Sequence, residues 1–267
     1  MKRRILSGMR TTGPLHLGNY FGALKNWVTL QDDFECYFEV ADLHGLTTEY
    51  QDTNQYETWV TEMIIDWLIA GIDPQRSVIL IQSHIPAHTQ LSLIFSMLVT
   101  VARLQRNPTI KEQARGLGLL DQISYGHLGY PVLQASDILL YRGEVVPVGE
   151  DQLPHLEIAR EIARRFNSLY GRVFPEPEPI LTRYPRLPGI DGQRMSKSLG
   201  NTIVLSEDPA SIKKKVMNMF TDPTKIKKND PGHPKDCPVN IYHELFSEDA
   251  QRWAKDCQQG RVGCVDH

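Results

Sequence analysis

An acidic residue lies among mostly apolar residues in the stretch YPVLQASDILLY, residues 130–141. Pro131 is well placed to begin a helix there. In that helix Tyr130, Gln134 and Asp137 are spaced i, i+4 and i+7, so their side chains share one face. Burying an ionised carboxylate without a partner costs roughly several kcal/mol. Asp137 therefore either accepts a hydrogen bond inside the fold or is kept for a ligand that carries a hydrogen-bond donor.

A glycine-containing segment near the start of the chain has residue types that bind phosphate. TTGPLHLGNY, residues 11–20, follows a predicted strand and leads into a predicted helix. Gly13 and Gly18 let a ligand approach the backbone closely, and His16 offers a hydrogen-bond donor. The amino terminus of a helix also favours an anion. By itself, the same pattern is equally typical of a plain turn between a strand and a helix.

A second segment, RMSKS at residues 194–198, lies in a glycine-rich loop. Its lysine, Lys197, stands between two serines. A lysine on a mobile loop can follow and neutralise the negative charge that develops on a phosphate during a reaction. An isolated SKS sequence on a surface loop would carry no such meaning, so this interpretation depends on the first segment.

The elements that must position these residues alternate between short apolar runs and longer helical patterns. Alternation of strand and helix predicts an α/β fold, in which helices cover both faces of a parallel sheet. Such sheets bind their ligands at the carboxyl ends of the strands. The predicted strands are residues 3–9, 34–44 and 77–83, and the predicted helices are residues 18–30, 54–72 and 90–104.

A change in composition divides the chain near Thr202. A proline-rich connection occupies residues 173–180, and from about Ser206 the chain is polar and rich in lysine. We therefore predict two domains, residues 1–202 and residues 203–267.

The totals describe an ordinary soluble protein. The 267 residues carry a net charge of −3, which gives no overall basic field for a polyanion. Local basic runs at residues 213–216 and 225–228 either bind nucleic acid or form a solvated helix face. The first residues lack the apolar segment of a signal peptide, and no stretch approaches the roughly 20 apolar residues of a membrane span. A cytoplasmic location is the expectation.

Taken together, the two glycine-containing segments resemble a known pair of motifs. HLGN, residues 16–19, resembles the HIGH element of class I aminoacyl-tRNA synthetases, and RMSKS resembles their KMSKS element. Arg194 stands where that element has lysine and keeps the charge. Within the class, the chain resembles tryptophanyl-tRNA synthetases over nearly its whole length. The segments that carry this resemblance are residues 7–20, 40–48, 130–141, 146–167 and 191–201.

The resemblance implies an architecture and a reaction. The expected architecture is a Rossmann-type catalytic domain followed by a smaller helical domain that contacts the anticodon of tRNA(Trp), in a homodimer. The family continues through further helices after the position of His267, so the helical domain is expected to be incomplete here. The expected reaction joins L-tryptophan to the AMP of ATP, releases pyrophosphate, and then esterifies the tRNA with tryptophan.

The resemblance also implies a role for each matching residue. Asp137 would accept the indole N–H of tryptophan, in a pocket that also contains Gln134, Tyr130, Val146, Val148 and Gln152. Catalysis would use His16, Arg194, Ser196 and Lys197, with Lys197 stabilising the pyrophosphate. ATP, with Mg²⁺, would be bound by Arg10, Thr11, Thr12, Gly18, Asn19, Gly149, Glu150, Asp151, Arg194, Met195, Ser196, Lys197 and Ser198.

Two alternatives stay open. Tyrosyl-tRNA synthetases have tyrosine, glutamine and aspartate at the same spacing, and a phenol and an indole each offer one donor on an aromatic body. The flanking GEDQ and GPLHLGN match the tryptophan enzymes better, but many bacterial members have methionine at the position of Gln134 and glutamine at that of Arg10. The second alternative is a synthetase-like protein that binds tRNA without catalysis.

Three of the four cysteines lie in the last 31 residues. Cys237, Cys257, Cys264 and His267 form a C-x19-C-x6-C-x2-H series. Three thiols with a possible fourth ligand suggest a metal site. A subgroup of tryptophanyl-tRNA synthetases carries a [4Fe–4S] cluster on four cysteines in this region, and CVDH resembles the end of that motif with histidine substituted. An iron–sulfur cluster, a zinc site and no metal at all are the three hypotheses.

Overall fold

The computed structural model describes residues 2–116, 118, 122–181 and 187–266. Its strands are β1 (Arg4–Arg10), β2 (Glu35–Ala41), β3 (Ser77–Ile81), β4 (Val145–Val148) and β5 (Glu178–Leu181). Its α-helices are α1 (Leu17–Asn19), α2 (Lys25–Leu30), α3 (Asp42–Glu49), α4 (Tyr56–Ala70), α5 (Ala87–Ser96), α6 (Val101–Gln105), α7 (Pro108–Gly116), α8 (Tyr125–Leu140), α9 (Leu153–Tyr170), α10 (Pro209–Met217), α11 (Pro238–Phe246) and α12 (Ala250–Gln258).

The strands form one parallel sheet in the order β3-β2-β1-β4-β5. β1 pairs with β2 over its full length, from Arg4 opposite Glu35 to Arg10 opposite Ala41. The order reverses between β1 and β4, and in doubly wound sheets the crevice at such a point is where ligands bind. The predicted α/β fold with a Rossmann-type parallel sheet is confirmed, and the residues that follow β1 and β4 are at the expected position for a site.

Both faces of the sheet carry packed helices, as predicted. On one side, the ring of Trp27 from α2 stacks on Phe38 of β2 at 4.9 Å and meets Trp67 of α4 edge to face. The main apolar cluster includes Leu6 of β1 and buried residues of α5, α8 and α9. Because helices cover the central strands on both sides, apolar residues such as Ile5, Phe38 and Val40 are fully buried there.

The prediction that Pro131 begins a helix is wrong. α8 begins at Tyr125, where Oγ of Ser124 accepts a hydrogen bond from the backbone N–H of His127 at 3.1 Å. Pro131 lies inside the helix, where its ring removes one backbone donor. Tyr130, Gln134 and Asp137 all lie within α8, so their spacing of i, i+4 and i+7 still puts them on one helix face.

Two further elements differ from the sequence prediction. The proline-rich connection contains strand β5, in which Pro179 pairs with Val146 at the edge of the sheet. An edge strand tolerates proline because one side of its backbone has no partner strand. The predicted helix at residues 90–104 is two helices, since α5 ends at Ser96 and Thr100 caps α6.

The described residues group into two compact units, residues 2–14 with 23–181, and residues 15–22 with 187–266. The first unit contains the sheet. The second contains α1 and the helices α10 to α12. This grouping does not test where a tRNA-binding domain begins, so the division at residue 202 stays a prediction. Within the ranges that the structure describes, no helix has the length and apolarity of a membrane-spanning helix.

Candidate functional site

Asp137 has partners inside the first unit. One carboxylate oxygen, Oδ1, accepts a hydrogen bond from Nε2 of Gln82 at 2.9 Å and lies 2.6 Å from Nδ1 of His88. The other oxygen, Oδ2, lies 3.5 Å from Nδ1 of His44, which is too long for a strong hydrogen bond. Oδ1 is therefore held by the fold, whereas Oδ2 keeps acceptor capacity for a ligand.

Sequence reasoning missed the three residues that contact Asp137. Gln82 and His44 follow the carboxyl ends of β3 and β2, and His88 lies in the first turn of α5. All three side chains are buried. The available signal was their position just after predicted strands of a parallel sheet, which is where such sheets collect functional side chains.

A second acid, Glu39, lies beside His88. The Glu39 side chain is on β2, is 1% exposed, and its Oε1 atom is 3.5 Å from Nδ1 of His88. No described residue hydrogen-bonds Oε1. Burial raises the pKa of Glu39 well above its usual range, and the nearby Asp137 and Asp42 raise it further. Glu39 therefore keeps its proton to a higher pH than an exposed glutamic acid.

Glu39 also depends on a small neighbour. Gly8 of β1 stands directly opposite Glu39 in the sheet. A Cβ atom at position 8 would lie 3.2 Å from Oε2 of Glu39, which is closer than most such contacts. One potential metal-ligand atom each from Glu39, His88 and Asp137 lies within 4.8 Å of the other two, so these residues could coordinate a metal ion. A proton on His88 Nδ1, shared mainly with Asp137, satisfies the same geometry.

Tyr130 belongs to a set of packed aromatic and imidazole rings. Its hydroxyl group hydrogen-bonds Nε2 of His155, and the two rings stack with centroids 5.0 Å apart. Burial raises the pKa of Tyr130 and lowers that of His155 to about 4, with His44 lowering the latter further. The Tyr130 hydroxyl can therefore donate to a neutral His155. That arrangement leaves the ring proton on Nδ1, a buried atom that no described residue contacts by a hydrogen bond.

The residues at the end of β1 also offer buried polar atoms. The Arg10 guanidinium donates to the hydroxyl of Thr48, but its Nε atom has no acceptor in the described part of the chain. The Oγ1 atom of Thr11 is likewise buried without a hydrogen-bond partner there. Buried polar groups are usually satisfied, so these atoms are candidates for contact with a ligand.

The neighbouring exit of β4 contains the other predicted residues of this unit. Val146 and Val148 are buried in the main apolar cluster that also includes Tyr130. Gly149 follows the strand, and a Cβ atom there would lie 2.7 Å from Oδ1 of Asp151. Gln152 donates from Nε2 to Oδ2 of Asp151 at 3.2 Å. Thus the first unit brings together the residues predicted to bind tryptophan and the residues predicted after β1 and β4.

The second unit brings HLGN and RMSKS together. The backbone N–H of Gly18 points to Sδ of Met195 at 3.3 Å, and Leu17 N–H donates to the carbonyl of Ile203 at 3.0 Å. The Asn19 side-chain oxygen accepts from the backbone N–H of His16 at 3.0 Å. A Cβ atom on Gly18 would lie 3.0 Å from the His16 ring, so glycine allows the ring to fold back over the turn.

The electrostatics of this second site suit an anion. The pKa of His16 is lowered to about 4, first by burial and then by the nearby cations Lys197 and Arg194. His16 is therefore neutral at pH 7 and can donate one hydrogen bond without adding charge. Its Nδ1 atom is buried without a hydrogen-bond partner in the described residues. Lys197 and Arg194 supply the positive charge.

Asn201, which the sequence analysis did not single out as a site residue, organises the RMSKS loop. Its Oδ1 atom accepts from Ser196 N–H at 2.8 Å, and its Nδ2 atom donates to Oδ1 of Asp191 at 2.8 Å and to the Arg194 carbonyl at 3.0 Å. Lys197 begins a short 3-10 turn that ends at Leu199 and is capped by Gly200, whose φ of 63° is left-handed. One amide therefore ties both sides of the loop. The side chain of Ser198 lies outside the described part of the molecule.

The three thiols of the tail lie near one another. Burial raises the pKa of the Cys257 thiol, and Cys264 and Cys237 raise it further, while Lys225 lowers it. Among the described residues, the three thiols do not all approach within 4.8 Å of one another. His267, the predicted fourth ligand, lies outside the described residues.

Comparison with known proteins gives consistent results. The family model for class I tRNA synthetases (W and Y) matches residues 1–267. The tryptophan–tRNA ligase of Thermotoga maritima is 51% identical over 98% of this chain and 81% of its own length. The corresponding protein of Aquifex aeolicus is 44% identical over 98% of this chain and 85% of its own length.

Solved structures agree with the sequence relatives. The crystal structure of tryptophanyl-tRNA synthetase from Campylobacter jejuni, complexed with ADP and tryptophan, is 34% identical to this chain. The two structures superpose with a TM-score of 0.85, covering 97% of this chain and 81% of the other.

Proposed function

The chain belongs to the family of class I tRNA synthetases for tryptophan and tyrosine, and from this premise we propose how its side chains carry out the activity of a tryptophan–tRNA ligase. Such a ligase first forms tryptophanyl-AMP from L-tryptophan and ATP, and then esterifies tRNA(Trp). In the first step a carboxylate oxygen of tryptophan attacks the α-phosphorus of ATP, and the bond to pyrophosphate breaks. No general base is needed, because the attacking carboxylate is already ionised at neutral pH.

The amino-acid pocket lies in the first unit, around Asp137. In this proposal Oδ2 of Asp137 accepts the indole N–H, and Tyr130, Gln134, Val146 and Val148 line the space around the ring. Gln152 binds near the polar end of the amino acid. The observation that carries this assignment is that the two oxygens of Asp137 differ in their contacts. Gln82 and His88 both contact Oδ1, whereas Oδ2 can still accept a hydrogen bond.

The same geometry favours indole over phenol. Gln82 uses its amide for Asp137 and His44, and the two ring nitrogens of His88 contact Asp137 and Tyr141. The side-chain donors of Gln82 and His88 therefore already have hydrogen-bond partners within the protein. What the pocket offers a ligand here is an acceptor, Oδ2 of Asp137. An indole N–H only donates, whereas a phenol hydroxyl also presents an oxygen that needs a donor when buried. This argues against the tyrosine alternative.

ATP is bound by residues from both motifs and from the strand ends. His16 donates a hydrogen bond to a phosphate as a neutral imidazole, and Lys197 stabilises the negative charge of the departing pyrophosphate with help from Arg194 and Ser196. Mg²⁺ bound with ATP would screen the same charge. The remaining ATP contacts are proposed for Arg10, Thr11, Thr12, Gly18, Asn19, Gly149, Glu150, Asp151, Met195 and Ser198.

Isotope exchange between pyrophosphate and ATP tests the activation step. We expect tryptophan to stimulate the exchange, and tyrosine to be at least about 100-fold less effective in kcat/KM, because a pocket built around one hydrogen bond rejects a poorly matched ligand. The two amino acids should be compared side by side on the same protein. Exchange that responds to tyrosine and not to tryptophan would reverse the assignment.

The clustered thiols support a metal-site proposal. Thiolates around a single zinc ion lie about 3.8 Å apart, as follows from a tetrahedral site with Zn–S bonds of about 2.3 Å. Cys237 and Cys264 lie close enough to Cys257 to raise the pKa of its thiol, which supports one shared site, and three thiolates are ligands that an iron–sulfur cluster also accepts. We therefore propose a cluster held by these three residues, with His267 as the candidate fourth ligand and zinc as the alternative metal.

Anaerobic purification provides the test of this metal site. The wild-type protein should show brown absorbance and bound iron, and Cys257→Ser should lose both. Cys36→Ser is the matched control, because Cys36 lies in β2 of the first unit. Bound zinc without iron would support the alternative, and metal analysis that finds neither would remove the site.

The remaining assignments concern partners and location. Exposed lysines of the two basic runs, including Lys213 and Lys227, support tRNA contact by residues 203–267.

Exposed apolar residues on α4 and α5, among them Ile69 and Leu93, support a homodimer. Light scattering should give the mass of two chains, and a single-chain mass would contradict this. A cytoplasmic location remains part of the proposal, and fractionation of cells tests it.

A further inference from the structure

We propose that His88 is a positioning residue that determines specificity for the indole ring, by fixing which oxygen of Asp137 faces the ligand. This inference rests on the proposed role of Asp137 as the acceptor of the indole N–H. His88 does not need to touch the substrate for this role. It acts through Asp137, and Tyr141 in turn fixes the orientation of the His88 ring.

The contacts of His88 define a buried relay. Its ring is 0% exposed, with Nδ1 2.6 Å from Oδ1 of Asp137 and Nε2 2.8 Å from the hydroxyl of Tyr141. A carboxylate can only accept a hydrogen bond, so the His88 ring proton lies on the side of Asp137 and Nε2 accepts from the Tyr141 hydroxyl. Nδ1 then carries the ring proton and donates it to Asp137. The relay therefore runs in one direction, from Tyr141 through His88 to Asp137.

Gln82 makes the orientation of the carboxylate unambiguous. Its Nε2 atom donates to the same Oδ1 atom at 2.9 Å, so both fold donors converge on one oxygen. Rotating the Asp137 carboxylate by half a turn only exchanges the two oxygens, but tilting it out of this plane would break both hydrogen bonds. The second oxygen is consequently held in one position, where it can accept from a ring N–H.

His88 lies within reach of two acids. Glu39, whose pKa burial raises well above its usual range, has Oε1 3.5 Å from Nδ1. Without a donor at the position of Nδ1, the Glu39 carboxyl group could turn its own proton toward Asp137. That contact would draw the carboxylate away from the ligand and would replace the imidazole donor with an acid. The position of His88 prevents this exchange.

Two isosteric substitutions separate the roles of the ring nitrogens. In His88→Asn the side-chain amide can take the position of Nδ1 and donate to Asp137, whereas in His88→Gln the amide reaches toward the position of Nε2 and Tyr141. The readout is kcat/KM in pyrophosphate exchange for tryptophan, divided by that for β-(benzothiophen-3-yl)alanine. This analogue replaces the indole N–H with sulfur, so the ratio measures how well Oδ2 is presented to the ring donor.

We expect the wild-type ratio to favour tryptophan strongly. His88→Gln should lower the ratio by about 10-fold or more, the loss that corresponds to a charge-assisted hydrogen bond. His88→Asn should keep the ratio within about threefold of wild type, since it retains the donor to Asp137. KM for ATP should be similar in all three proteins. Tyr141→Phe, which keeps the ring and removes only the hydroxyl group, should lower the ratio by about threefold.

A packing role predicts a different pattern. It would reduce exchange with both amino acids equally, leave the ratio unchanged in His88→Gln and Tyr141→Phe, and give His88→Asn no advantage, and that result would overturn the inference. A wild-type protein that exchanges with neither amino acid would instead overturn the proposed function. If His88→Gln does not fold, the ratio in Tyr141→Phe decides between the two roles.

Discussion

Tryptophan-dependent pyrophosphate exchange should fall by about 1000-fold in kcat when Lys197 is replaced with alanine. Lys197 lies in the loop that contacts HLGN, close enough to His16 to lower the pKa of that histidine. Because His16 is neutral, the positive charge for the departing pyrophosphate comes from Lys197 and Arg194. Removing an interaction made mainly in the transition state lowers kcat rather than raising KM.

The control for this experiment is a lysine outside the loop. Lys214 is exposed on α10, and Lys214→Ala should leave exchange unchanged. Lys197→Arg keeps the charge but alters its position, so it should recover part of the lost rate. If Lys197→Ala exchanges pyrophosphate as fast as the wild-type protein, Lys197 does not have the assigned role. A wild-type protein that binds tRNA but lacks exchange would favour the non-catalytic alternative.

Asp137→Asn should also greatly lower kcat/KM for tryptophan. Asparagine has one oxygen, and the convergence of Gln82 and His88 on Oδ1 holds that oxygen toward the fold. The amide NH₂ group then occupies the position of Oδ2 and faces the indole N–H, donor against donor. We expect kcat/KM for tryptophan to fall by about 100-fold or more, with KM for ATP little changed. Exchange kinetics measure both.

Stability distinguishes the asparagine variant from an alanine variant. Asp137→Ala leaves the buried donors of Gln82 and His88 unpaired, which should lower the free energy of unfolding by about 3 kcal/mol in urea denaturation. Asp137→Asn should lower it by about 1 kcal/mol, because the fold contacts survive. Asp137→Asn could instead retain tryptophan-dependent exchange and lose as much stability as Asp137→Ala. Asp137 would then be a structural acid that does not accept a hydrogen bond from the ligand.

The extent to which the fold could be predicted follows from burial. β1, β2 and β3 each contain several apolar residues because helices cover the sheet, and the prediction found all three strands. β5 was missed, since its residues are half-buried or exposed and Pro179 reads as a connection. The start of α8 was misplaced because Pro131 is a strong local signal, while the true cap, Ser124, is a single polar residue without a distinctive pattern.

The sequence also predicted one part of the candidate site and missed another. HLGN and RMSKS are continuous in sequence, so a local pattern identified them, and the structure brings both into one unit. The contacts of Asp137 come from single residues on separate elements, Gln82, His44 and His88. No spacing along the chain links these residues, because their proximity depends on the pairing of strands and the packing of α5 against α8. Their roles, like those of the motif residues, stay predictions until the variants are measured.

The close approach of Glu39 to Gly8 has a consequence for how this sequence can change over generations. A methyl group at position 8 would press on the buried acid from the neighbouring strand, so a larger residue there favours a shorter one at position 39. The two positions should therefore co-vary across related sequences, with an acid at 39 accompanied by glycine at 8. A sequence without an acid at position 39 would be free of this restriction at position 8.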